Sequence, residues 1–324
     1  MISRRVFLQT GVAHAGVAGG LPWRRLEPLT MQLDWRLNAQ FAGLCVAKSH
    51  GDYQRQGLAV TLTPALPHMD VVQTVVSQPH TLGCAEESLI LTAQAKGIEI
   101  VAIATMLQVS PLALMSPPQN GLSTLQQLPG KRIGVHSDGR KALELVLAQN
   151  HIPAHQIDIV TIPYRDKYRR LTNGDFDAVQ CYALDEPLDF AHRLGQPPVL
   201  LTFHDYGFDA YSQVIFAPRP LLTEHPQRIR RFLAATFSGW RWAIEHPTDT
   251  AQLLVDQYVE PDYQDIKYQT QSLEIMASYI ERGGHPIGII DPIRWRQSAE
   301  QLAQAGLIPP VPPLTTSLSL SLWS

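Results

Sequence analysis

At 324 residues the chain is long enough for one large domain or two lobes of ordinary size. A hydrophobic fraction of 45%, a charged fraction of 17% and a formal net charge of −3 fit a soluble protein with a sizeable core. No Lys/Arg run or basic stripe points to a nucleic-acid partner. Cys45, Cys84 and Cys181 lie far apart with no Cys-x-x-Cys pair, which speaks against a structural zinc site and a disulfide-built scaffold.

The opening residues read as a targeting segment. Ser3-Arg4-Arg5-Val6-Phe7-Leu8-Gln9 matches the twin-arginine export pattern. The Gly- and Ala-rich run from Thr10 to Leu21 is too short and too weakly apolar for an ordinary spanning helix. Ala13-His14-Ala15 and Val17-Ala18-Gly19 offer small residues for cleavage. Residues 1–25 are therefore set apart from the fold. Leu33 to Val60 then reads as a short strand, a loop carrying Asp34, Trp35 and Asn38, a helix from about Ala39, and a second strand. Acid, indole and amide appear together where the strand ends, the place where a parallel-sheet protein usually holds a ligand. Asn38 is a good N-cap, so free backbone N–H groups point to the same spot.

The string D-W-x-x-N-x-Q-F-A-G-x-x-V-A-K from Asp34 to Lys48, followed by G-x-Y at Gly51 and G-L-x-V at Gly57, resembles the opening of the thiamine pyrimidine-precursor (thiaminpyrimidine-synthase-like) family of solute-binding proteins. The similarity runs from about Leu29 to Pro309. It implies an α/β, two-lobed periplasmic-binding-protein (type II) fold with a discontinuous first lobe and two hinge crossings. Lobe 1 would take 26–112 and 214–310, lobe 2 would take 113–213, and 311–324 would form a tail. The implied role is ligand capture for an ATP-driven (ABC) importer, with a membrane permease and an ATPase as partners and no cofactor. A periplasmic monomer is expected.

Further along, Thr81–Ala85 is a short buried strand, and Glu86-Glu87-Ser88 opens a helix at Leu89. In the family this corner lines the cleft, which makes Ser88 or Glu87 a ligand candidate and leaves Glu86 a structural role. Simple stabilisation of the helix end by acids is the alternative. Ile98 to Met106 is an apolar, β-rich run suited to a buried parallel strand. Gln108-Val109-Ser110-Pro111 resembles the family's first crossing, with Ser110 either at the cleft or a turn residue before proline. Ile133-Gly134-Val135, then His136 to Arg140, then a helix from Lys141 form a strand, polar loop and helix that present backbone N–H groups, with Ser137 or Asp138 facing the cleft. No phosphate-binding glycine motif is present. Asp177, in Gly174 to Ala178, is expected to cap or orient the backbone.

Gln180 to Pro187 is the second informative stretch: a strand ends at Tyr182, and an acid precedes the proline that begins a helix. The resemblance implies that Glu186 reads the amino edge of a pyrimidine, as a carboxylate accepting hydrogen bonds from an exocyclic amine. Trp35 would supply the flat apolar face. Asp185 takes Glu186's place if the register moves by one. Asp205 and Tyr206 precede the second crossing and either close over the ligand or pack the loop. From Glu224 the chain is helical, with Phe232, Phe237, Trp240 and Trp242 at core spacing. The Pro/Ser/Thr/Leu-rich tail from Pro309 is expected to be loosely ordered.

Two other readings stand beside the heterocycle receptor. One is a receptor for a sulfonate, nitrate or riboflavin. The other is the enzyme on the same fold that makes the thiamine pyrimidine from pyridoxal phosphate and histidine with iron, against which stands the absence of its Cys/His-rich motif: His136, His192 and His204 are scattered.

Overall fold

Short apolar and β-branched runs closed by turn signals form ten strands among the described residues. The computed structural model describes residues 25–323, apart from 67–68, 138, 164–166, 282–285 and 311–312, with backbone alone at 262. The segment 1–25 expected to carry a twin-arginine signal lies outside the described residues except for Arg25, and Asp138 lies outside them too. In chain order the strands are β1 (Glu27–Gln32), β2 (Leu58–Thr63), β3 (Thr81–Ala85), β4 (Ile100–Leu107), β5 (Leu112–Ser116), β6 (Arg132–Val135), β7 (Asp158–Thr161), β8 (Ala178–Tyr182), β9 (Val199–Thr202) and β10 (Ser212–Pro218).

These strands make two five-stranded sheets, ordered β2-β1-β3-β10-β4 and β7-β6-β8-β5-β9. Each sheet is mixed. β1 runs parallel to β2 and β3, while β10 is antiparallel to β3 and β4. β6 runs parallel to β7 and β8, while β5 is antiparallel to β8 and β9. The chain leaves the first sheet after Leu107 and returns at Ser212, so the first lobe is discontinuous and two crossings join it to the second.

Helices fill the connections. α1 (Ala42–Ser49), α2 (Asp52–Arg55), α3 (Val71–Ser77) and α4 (Glu87–Ala95) precede the first crossing. α5 (Arg140–Gln149), α6 (Lys167–Thr172) and α7 (Glu186–Leu194) belong to the second lobe. α8 (Arg219–Glu224), α9 (Pro226–Glu245), α10 (Pro247–Gln257), α11 (Ile266–Ile280), α12 (Pro292–Gln304) and α13 (Leu314–Ser317) follow β10. Phe232, Phe237 and Trp240 of α9 are core, as their spacing predicts, and Trp242 is half-buried.

One helix contact positions the site. A Cβ on Gly43 would fall 2.2 Å from the Trp240 ring, and one on Gly239 would fall 2.2 Å from the Gly43 carbonyl oxygen. Only glycine at both places lets α1 lie directly on α9. That contact fixes the turn before α1. The expected helix start at Ala39 is a single 3-10 turn, Ala39–Phe41, with α1 beginning at Ala42. Asn38 caps the turn through its side-chain oxygen, which accepts from Gln40 N at 2.9 Å.

Two expectations are corrected. β4 is buried at every position, as expected, yet it is antiparallel to β10 and not parallel, and it lies at the sheet's edge. Its burial comes from a cover: Gly288 O accepts from Thr105 N at 3.0 Å, and the C-terminal tail lies against the edge. The tail is therefore docked, not loose. Ser319 N donates to Ala102 O at 3.0 Å and the Trp323 indole N–H to Ile103 O at 3.0 Å, with Leu318 and Leu322 buried. An apolar edge strand that would otherwise invite another chain is closed by the protein's own end.

Candidate functional site

The strand ends of both sheets meet at a junction between the lobes, and its polar groups come from four places. The first is the loop after β1. Asp34 and Trp35 are half-buried there. Asp34 accepts from Cys84 Sγ at 3.6 Å and is 3.5 Å from Gln213 Nε2. Trp35 packs on the rim of the first lobe's core. The Arg36 guanidinium lies 5.9 Å from its ring and 4.8 Å from the Tyr263 ring, within cation–π reach of both.

The second is the corner between β3 and α4. Glu86 is the N-cap residue, and its buried carboxylate accepts from three hydroxyls: Ser110 at 3.2 Å, Ser212 and Tyr182. Ser110 stands in the first crossing, Ser212 at the second, and Tyr182 in the second lobe, so one carboxylate ties both crossings to both lobes. α4 starts at Glu87, two residues earlier than the apolar pattern indicates. Glu87 points elsewhere and accepts from Tyr211 N at 2.6 Å. Burial pushes its acid up to about 8, against the pull of the Tyr211 N–H.

The third is the corner between β8 and α7. Asp185, 1% exposed, is the N-cap residue and accepts from Glu186 N at 2.7 Å. Its other oxygen reaches the first lobe and accepts from Gln40 Nε2 at 2.6 Å and Asn38 Nδ2 at 3.1 Å. Burial, with the Glu186 carboxylate beside it, pushes the Asp185 acid up to about 7, even though those donors favour the charged form.

Glu186 turns the other way. One of its oxygens accepts from Tyr182 N at 2.8 Å, and the other forms an ion pair with Lys167, whose side chain is 3% exposed. Lys167 Nζ also lies 3.4 Å from His136 Nε2 and 3.4 Å from Gln180 O. His136 Nδ1 is 3.0 Å from Ile162 O, so Nδ1 carries the proton and Nε2 is the acceptor facing Lys167. Burial and the neighbouring ammonium push the imidazole down to about 3 and keep it neutral. Gln180 Oε1 accepts from His136 N at 2.8 Å, and a Cβ on Gly139 would fall 2.2 Å from that oxygen, so the loop after β6 closes on Gln180 only with glycine there.

The fourth is the second crossing. Gln213 is 1% exposed and has φ +53, a left-handed conformation that costs a residue with a Cβ roughly 1–3 kcal/mol. Its Oε1 is buried without a hydrogen-bond partner. Strain and an unsatisfied acceptor coincide beside Asp34, as they do where a fold serves function over stability.

Of the residues singled out from sequence, the junction gathers Asp34, Trp35, Asn38, Ser110 and Tyr182, and Asp185 takes the place expected of Glu186, whose carboxylate turns to Lys167. Glu87, Ser88, Ser137 and Asp205 do not join it, Glu87 being turned to Tyr211 N. Ser88 is buried against a separate crevice with Leu91, Leu145 and Phe208, because the second position of α4 lies along the helix side and not off its end. Ser137 is exposed at the outer side of the loop after β6. Asp205 is exposed and accepts from Thr202 Oγ1, a local bond inside its own loop. Sequence reasoning missed Gln40, Lys167 and Gln213 and gave Glu86 a purely structural part. Gln40 lies inside the recognised string, two residues beyond Asn38. Nothing in the local pattern marks Lys167 or Gln213.

Two mixed α/β lobes joined by two crossings, with polar groups meeting between them, define the class: a periplasmic-binding-protein fold. The chain belongs to the NMT1/THI5-like family, whose model matches residues 38–250. It is 22% identical over 293 residues to a riboflavin-binding protein, RibY, of Chloroflexus aurantiacus, covering 87% of this chain and 82% of that one. It is 22% identical over 280 residues to a formylaminopyrimidine-binding protein of Halalkalibacterium halodurans, covering 84% and 83%. A 4-amino-5-hydroxymethyl-2-methylpyrimidine phosphate synthase of Legionella pneumophila is 23% identical over 256 residues, covering 75% and 78%. Among solved structures, the alkanesulfonate-binding protein SsuA of Xanthomonas axonopodis pv. citri, bound to MOPS, superposes with a TM-score of 0.70 at 15% identity, covering 90% of this chain and 98% of that one.

Proposed function

We propose that this chain is the solute-binding component of an ABC importer, exported through its twin-arginine leader, and that it captures a flat heterocycle by closing two lobes over it. A thiamine pyrimidine precursor such as a formylaminopyrimidine is the favoured cargo. The observation that carries this reading is the chemistry of the junction. Among the described residues, the charged groups that the two lobes turn to it are chiefly carboxylates: Asp34 and Glu86 from one lobe and Asp185 from the other. Lys167, the buried lysine among the described residues, is paired with Glu186. Such a junction accepts hydrogen bonds, so it suits a ligand rich in N–H donors and repels a sulfonate or nitrate. Trp35 supplies the flat face and Asp34 an acceptor, with Asn38 beside them in the same loop and Tyr182 and Asp185 closing from the other lobe. The relatives named for formylaminopyrimidine and riboflavin support a heterocycle over an oxyanion.

Mass spectrometry of small molecules carried through gentle purification tests the assignment, with an amino-heterocycle expected. Recovery of an alkanesulfonate alone would overturn it. Trp35→Ala is expected to weaken binding of the recovered molecule by about tenfold or more, through loss of one aromatic stack and its buried area.

The relative named as a synthase raises the enzyme reading. Against it, Cys45, Cys84 and Cys181 are all buried on separate elements, and Lys167 would have to surrender Glu186 before its amine could attack a carbonyl. Incubation with pyridoxal phosphate is expected to leave the absorbance spectrum that of free cofactor plus protein. A Schiff-base band would favour the enzyme.

A further inference from the structure

The two carboxylates shared between the lobes do different mechanical work. Glu86 accepts from Ser110 and Ser212, one in each crossing, so most of its partners travel with the hinge itself. Asp185 has no partner in either crossing. Its bonds run from α7 of the second lobe to the turn before α1 in the first, where Asn38 and Gln40 are 0% and 3% exposed. Nothing covalent or strand-like joins those two places. A carboxylate there is removed from water only when the lobes meet, and it is then held by two amide donors from across the gap and one N–H of its own helix.

We propose that Asp185 is the latch of lobe closure, with Asn38 and Gln40 as its keeper and Glu86 as the pivot. The consequence for transport rests on the reading of closure as the capture step; the latch itself does not depend on which ligand is captured. Separating the lobes exposes a carboxylate and two amides that were buried and paired, and water re-pairs them at once. The gain from closure is therefore the net worth of charge-assisted bonds and not their gross strength. That is the scale suited to a reversible latch, because a much stronger one would hold the lobes shut permanently.

The geometry also separates the latch from the cap. Asp185 Oδ1 caps α7, whereas Oδ2 reaches Gln40, and the side-chain amide of Gln40 bonds to Asp185 alone among the described contacts. Changing Gln40 therefore breaks the latch and leaves the cap in place.

The test uses the whole chain without added ligand, with spin labels on cysteines introduced at exposed Gln54 in the first lobe and exposed His155 in the second. The native cysteines are buried and are expected not to compete for label. Pulsed dipolar spectroscopy reads the distance between the labels, and small-angle scattering reads the shape. Gln40→Leu keeps nearly the same volume and removes the donor. Gln40→Glu sets a second carboxylate against Asp185. Both are expected to move the closed-to-open ratio by about tenfold or more toward long distances, with circular dichroism unchanged. Gln40→Glu is expected to recover short distances as the pH is lowered. Wild-type distance distributions in both folded variants would overturn the latch, and so would a wild-type protein that is already mainly long-distance. A variant that fails to fold leaves the other Gln40 variant and the pH recovery to decide. No arm of the experiment uses a heterocycle, so a wrong cargo assignment and a wrong latch give separable failures.

Discussion

The corner between β3 and α4 in the first lobe and the corner between β8 and α7 in the second are built alike. In each corner two consecutive acids open the helix: Glu86 and Glu87 directly after β3, Asp185 and Glu186 two residues beyond β8. In both, the first acid is the N-cap residue and its carboxylate is shared with the opposite lobe, through Tyr182 or through Asn38 and Gln40. In both, the second acid is the first helical residue and turns away, Glu87 to Tyr211 N and Glu186 to Lys167. The cap residue stands outside the helical spiral, so its side chain projects off the end toward the gap. A side chain one position later leans back along the helix, Glu186 to Lys167 of its own lobe and Glu87 to Tyr211 in the second crossing. Polar groups at a helix start thus divide by a single residue into those that face the opposite lobe and those that turn away from it.

The largest expected effect comes from breaking the inward half of one corner. Lys167→Met leaves the Glu186 carboxylate without its cation in a site where Lys167 is buried, and is expected to cost about 3–5 kcal/mol in denaturant unfolding. A loss below roughly 1 kcal/mol would mean that Glu186 is effectively solvated and free to turn to the cleft.

Glu87 sharpens the other corner through pH. Its acid is raised from the ordinary 4.5 to about 8 by burial, so the folded protein keeps the proton that the unfolded chain releases. Stability from this group is whole below pH 4.5, falls as pH rises from there to about 8, and levels off above. Glu87→Gln is expected to be the more stable protein at pH 8, by on the order of 1–3 kcal/mol, and to lose that advantage by pH 4.5. A constant difference across the range would contradict the assignment.

His136 gives a smaller effect of opposite sign. Its imidazole is depressed from 6.5 to about 3, so its contribution is present above pH 6.5 and is lost as the pH falls through that window toward 3. His136→Gln is expected to flatten this acid limb of the stability profile, measured by thermal melting from pH 7 to 4.

Much of the fold was legible in the sequence because it rests on local signals. Thr81–Ala85 is a strand over the expected residues, the chain after Glu224 is mainly helical as expected, and the backbone role expected of Asp177 is met by its acceptance from Arg132 N at 2.8 Å. The Asp34 to Lys48 string carries its own punctuation, and Gly43 in it is forced by α9. What sequence could not show is long-range. The apolar run of β4 read as a buried parallel strand because no local pattern announces that a tail more than two hundred residues later will cover an edge. The one-residue choice at each acid pair is decided by where the helix begins, and apolar periodicity fixes that point only to within a turn. Gln213 is marked by a backbone conformation and an unmet acceptor, neither of which leaves a trace in composition.

The most direct measurement is calorimetric titration of the purified protein with an aminopyrimidine, 4-amino-5-hydroxymethyl-2-methylpyrimidine or its formylamino analogue, alongside methanesulfonate and nitrate. A junction whose charged groups are chiefly carboxylates predicts saturable binding of an aminopyrimidine at micromolar concentration or below and no heat of binding from either oxyanion. Saturable binding of methanesulfonate or nitrate, with none of the pyrimidines, would contradict it.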